Sequence, residues 1–158
     1  MRRTILSSVV VATACLVCAP TTAEEPPRRQ PVTLPADAKA IFLAQMLGHM
    51  VALDAVITAL GRGDYATAAE VAGNELAVPR FQDADGGTGS GPGLGVGQHL
   101  PEAFRAIGKR FRGAAGDFAE TARAMPSNPS AEQQQAVMAA LGKITNECRA
   151  CHDAYRIE

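Results

Sequence analysis

Tryptophan is absent from the sequence, and it holds only two tyrosines and five phenylalanines. A core with so few rings is thin and rests on alanine and leucine, and a flat aromatic cofactor would make up the volume. An excess of charge of one sign is also missing, with 15 basic residues against 16 acidic ones. Without its first 23 residues the chain carries 13 basic and 16 acidic residues, a formal charge of −3. That mild acidity argues against nucleic acid and an anionic membrane surface as partners. Cysteine is scarce as well. Of the four, Cys15 and Cys18 fall in the N-terminal segment and only Cys148 and Cys151 follow it.

The opening residues read as an export signal. Arg2 and Arg3 precede an apolar run from Ile5 to Ala19, and Thr21-Thr22-Ala23 offers small residues for cleavage after Ala23. The run is short for a membrane span, no second apolar run is evident, and the mature protein is expected to be soluble and periplasmic. Residues 24–34, with three prolines and two arginines, read as a flexible leader before a single domain over 35–158.

Four helical patterns and no convincing strand follow. From Pro35 to Leu60, the residues Phe42, Met46, His49, Leu53, Val56 and Leu60 alternate at spacings of four and three, one stripe of a helix. Gly61-Arg62-Gly63 ends it, and Asp64 is an N-cap for a short helix running to Val78, with Tyr65, Ala69, Ala72 and Leu76 inward. Asp85–Gly97, with seven glycines, reads as a mobile connection without a phosphate-loop pattern. A third helix opens at Pro101 and Glu102 with Phe104, Ile107, Phe111, Ala114, Phe118, Thr121 and Met125 as its stripe. Ser130 with Gln133 forms a capping box for the fourth, whose stripe is Val137, Leu141, Ile144, Cys148, His152 and Tyr155. The expected fold class is all-α, an antiparallel four-helix bundle.

Cys148-Arg149-Ala150-Cys151-His152 has the C-x-x-C-H spacing of haem attachment. Positions i, i+3 and i+4 share a helix face. Two thiols so placed can add to the two vinyl groups of one porphyrin edge, and the next imidazole comes under the iron as its proximal ligand. Three other chemistries compete for the motif. Zinc needs about four ligands, and only three crowded ones are present. A thiol oxidoreductase places its cysteines at a helix start after a strand, whereas these lie at the end of the last helix. A disulfide between neighbours on one helix constrains almost nothing. A covalent haem, one per chain, is the reading adopted.

A secreted chain with four helices and one such motif near its C-terminus resembles the class II c-type cytochromes, the cytochrome c′ family. The ending Cys148-Arg149-Ala150-Cys151-His152-Asp153-Ala154-Tyr155-Arg156 is similar to the family's closing pattern, and the resemblance spans Pro35–Glu158. It implies a bundle enclosing the haem and a distal position on the first helix. Counting back from Leu60 puts that position at Met46, while counting forward from Lys39 puts it at Leu43; the usual arginine is missing. Met46 is preferred because it lies on the stripe with Phe42. His49 is its rival, Met50 reads as packing, His99 as a surface or cap residue, and Arg156 as either a shield for haem charge or a solvated arginine. The resemblance implies one-electron transfer with periplasmic redox proteins as partners, or alternatively binding of nitric oxide or carbon monoxide at an open distal site. Neither nucleophile nor general base is legible, so no enzyme activity is expected; stable membrane insertion is not expected, and a homodimer stays open.

Overall fold

The computed structural model describes residues 28–78 and 96–158. The export signal and most of the glycine-rich stretch lie outside the described residues. The chain forms a four-helix bundle. Its helices are α1 (Ala36–Gly61), α2 (Tyr65–Val71), α3 (Glu102–Arg123) and α4 (Ala131–Ala154). A π-helical turn over Ala72–Leu76 prolongs α2, and a 3-10 turn at Val96–His99 precedes α3. Val96 and Gly97, which end the glycine-rich stretch, are buried in that turn.

The helix boundaries follow from local chemistry. Pro35 and Pro101 stand just before α1 and α3, where a missing N–H leaves no helical bond unmade. Gly63, at φ +72°, supplies the left-handed residue after α1, and the Asp64 N–H returns to the Ala59 carbonyl at 2.9 Å. Asp64 Oδ1 then accepts from the Thr67 N–H at 3.0 Å to start α2. The capping box of α4 is complete: the Gln133 N–H donates to Ser130 Oγ at 3.2 Å, and the Ser130 N–H to Gln133 Oε1 at 2.8 Å.

Two apolar cores result. The larger joins all four helices through Val56, Leu76, Phe118, Val137 and Ile144. The smaller gathers Val32, Leu34, Phe42, Val96, Leu100 and Phe104. Phe104 ties this second core together, edge-on to Phe42 at 5.8 Å and 4.9 Å from Tyr155.

Three expectations need correction. Within the leader, β1 (Gln30–Val32) pairs in parallel with β2 (Tyr155–Ile157), in the register Val32↔Ile157. Val32 and Leu34 have buried side chains to contribute, which fixes this part of the segment despite its prolines. Tyr155 therefore belongs to a strand, and α4 ends at Ala154. Finally, α1 is long and apolar enough by length and composition to cross a membrane, so a second apolar run does exist. It leaves Leu43, Leu47, Met50, Val51 and Ile57 exposed while Phe42, Val56 and Ala59 are buried.

Candidate haem site

A cavity of about 330 Å³ opens between α1, α3 and the C-terminal turns of α4. Its walls are mostly apolar. Phe42, Met46, Leu47 and Met50 come from α1, Phe104, Ile107 and Phe111 from α3, and Leu100 from the turn before it. Cys148, Cys151 and His152 close the α4 side. The three motif residues thus line one space, as the i, i+3, i+4 spacing requires. His152 is an exposed residue at its rim, whereas Cys148 and Cys151 are half-buried, so the inward stripe of α4 passes through both cysteines.

Both thiols are unpaired. Burial pushes the Cys148 thiol up, with the Glu147 carboxylate adding to the effect. Burial beside Cys148 lifts Cys151 to about 11. A thiol poised for exchange is held low by a helix N-terminus or a nearby cation. These two stand at the opposite end of a helix and move the opposite way, which argues against an oxidoreductase. Zinc is disfavoured too. Among the described residues no three His, Cys, Asp or Glu side chains are gathered to hold a bare ion.

On the facing helix, Met46 is partly buried and lines the cavity; Leu43, half-exposed, is not among the lining residues. The count back from Leu60 therefore reaches the cavity and the count forward from Lys39 does not. His49 also lines it, its ring centroid 5.0 Å from that of Phe111. Met50, expected only to pack, is exposed at the cavity mouth. His99 is exposed, with Nε2 3.3 Å from Gln98 Nε2, and lies outside the cavity. Arg156 is not among the lining residues and donates to the Arg29 carbonyl and to Glu158.

Several site residues escaped the sequence reading. Gln45, Arg105, Arg112 and Glu147 bring polar groups to the cavity wall. Glu147 is fixed by Arg110, whose Nε donates to both carboxylate oxygens at 3.2 and 3.1 Å, tying α3 to α4 one residue before Cys148. Gln45 Oε1 and Arg105 Nε are buried without a hydrogen-bond partner. A cavity with ring-lined apolar walls, two thiols and an imidazole on one side and an unpartnered guanidinium N–H fits a haem, which brings a flat apolar body, two vinyl groups and two carboxylates.

Residues 96–156 match the family model described as Cytochrome C'. The matched segment holds α3, α4 and the motif; α1, with Met46, precedes it. No curated protein and no solved structure matches the chain.

Proposed function

We infer, from the match of residues 96–156 to the Cytochrome C' family model, that this protein is a periplasmic c-type cytochrome that carries single electrons. In this reading Cys148 and Cys151 bind one haem covalently, His152 is the proximal iron ligand and Met46 the distal one. The bound group would supply one-electron chemistry between Fe(II) and Fe(III), and a neutral thioether at the sixth position favours Fe(II). The observation that carries the choice of Met46 is its place on the wall shared with the motif, where Leu43 is absent.

The chain's own residues would hold the group rigidly. Phe42, Phe104 and Phe111 exclude water from its faces, and the Arg110–Glu147 pair steadies α4 beside the first cysteine. Leu47 and Met50, exposed at the cavity mouth, offer an apolar docking point for a redox protein. A second copy of the chain is the competing occupant of that surface, and sedimentation velocity of the purified protein separates the two. No enzyme activity and no membrane insertion belong to this reading.

The gas-binding alternative draws support from the apolar α1 wall around Met46 and Leu47, which would admit nitric oxide or carbon monoxide if the sixth position were open. One set of measurements tests both. Haem must stay on the chain through acid-acetone extraction, and extractable haem sinks the cytochrome reading. A thioether on ferric iron gives a weak charge-transfer absorption, which Met46→Ala should abolish while opening the site to carbon monoxide. Met50→Ala should leave both properties unchanged. If His49→Ala has the effect and Met46→Ala does not, His49 is the ligand; if the wild type already binds carbon monoxide freely, the protein is a gas binder.

A further inference from the structure

We propose that Arg105 is the anchor for a propionate of the haem, its Nε donating the hydrogen bond to the carboxylate; this rests on the cytochrome reading above. A guanidinium N–H removed from water and left without an acceptor is costly, more so than a neutral donor, and folded chains rarely leave one so. Arg105 Nε is such a donor, and the residue lines the cavity. The walls are otherwise mostly apolar, and a carboxylate brought by the ligand would supply the acceptor.

The chemistry of the porphyrin identifies that acceptor. With its vinyl edge held by Cys148 and Cys151, the carboxylates on the opposite edge of the porphyrin would face another wall of the cavity. Besides the two thiols, the charged and titratable groups on the walls are His49 from α1, Arg105 and Arg112 from α3, and Glu147 and His152 from α4. Glu147 is held by Arg110 and repels a carboxylate. Arg112 leans along its own helix, its Nη1 3.7 Å from where a side chain on Gly108 would begin, and it has an interaction of its own. Arg105 has the unmet donor. Gln45, whose Oε1 is the other unpartnered atom, marks a second polar point on the wall.

The test uses the purified holoprotein and two readouts. Resonance Raman of the propionate bending mode reports the hydrogen bond directly. The pH dependence of the midpoint potential reports the carboxylate's proton affinity. Arg105→Gln should shift the bending mode, lower the potential and move its inflection upward by about one pH unit or more, tenfold in proton affinity. Arg105→Lys, which keeps the cation, should restore the pH inflection in part. Lys109→Gln removes the same charge from an exposed position of the same helix and should move neither readout. An unchanged bending mode and inflection in Arg105→Gln overturns the proposal. So does an acetate-dependent spectral shift in the wild type, which would make Arg105 a site for free anions. Absence of covalent haem from the wild type overturns the proposal together with the cytochrome reading.

Discussion

Val32 and Val137 lose the same atoms on truncation to alanine, yet the structure predicts different consequences. Val32 is 4% exposed in the small core beside the cavity, and Val137 is 1% exposed in the main core. Each substitution removes two buried carbons, about 1.6 kcal/mol of transfer free energy, and the residual void brings the cost to about 2 kcal/mol. Val137 touches the core shared by all four helices. Its loss should appear in global unfolding, lowering Tm by about 4–8 °C for a chain of this size. Val32 sits in a ribbon of three residues paired with three, β1 with β2, which can open while the bundle stays folded. Its loss should therefore appear as faster amide exchange at the ribbon, about thirtyfold for 2 kcal/mol, with a smaller fall in Tm. Hydrogen exchange read by mass spectrometry, alongside thermal melts of both variants, decides the matter. Equal Tm losses with unchanged exchange at 155–157 in Val32→Ala would refute the idea of a separately opening strap.

Ser130→Ala should cost about 1 kcal/mol, because the side-chain half of the α4 capping box disappears, and a thermal melt would show it as a loss of about 2–4 °C. Gly63→Ala forces a side chain into the left-handed region at φ +72°, at a cost of about 1 kcal/mol readable by denaturant titration. The backbone and side-chain hydrogen bonds of Thr67 hold the Asp64 carboxyl below its ordinary value. A lowered folded-state value means stability present above the unfolded pKa and lost as pH falls through the folded one. Asp64→Asn, which cannot titrate, should flatten the acid limb of the stability curve; an unaltered limb in an acid titration followed by circular dichroism would contradict this.

The helices were legible because their signals are local. Ser130 and Gln133 close a box within one turn, and the seven-residue spacing of Phe104, Phe111 and Phe118 marks the buried side of α3. The motif was legible for the same reason: its three side chains are fixed relative to one another by one helix. The strap was not. Three residues containing a proline carry almost no strand pattern, and their partner lies at the other end of the chain. On α1 the stripe located Met46 and His49, but the helix is apolar on nearly every side, so periodicity could not tell cavity from surface. Arg105 and Gln45 escaped because each stands one residue away from a stripe position, where a polar side chain ordinarily faces water. Only the packing of neighbouring helices shows that these two reach buried space.

The same packing accounts for where the cavity lies. Cys148 packs against the main core, whereas Cys151, one turn later, packs against the small one along with Met46 and Tyr155. α1 and α3 cross the same boundary, with Phe42 and Phe104 in the small core and Val56 and Phe118 in the main one. Between those levels lie Met46 and His49 on α1 and Ile107 and Gly108 on α3, all of which line the cavity. The cavity is thus the seam between two cores, and the attachment motif straddles it. A cofactor bonded to both cysteines would join the cores through a rigid plane. Its seating then depends on how the small core is held, and that core includes a strand from the start of the domain, buried through Val32 and bonded to the residues just past His152. Motif and strap lie at opposite ends of the sequence, yet they hold the same side of one site.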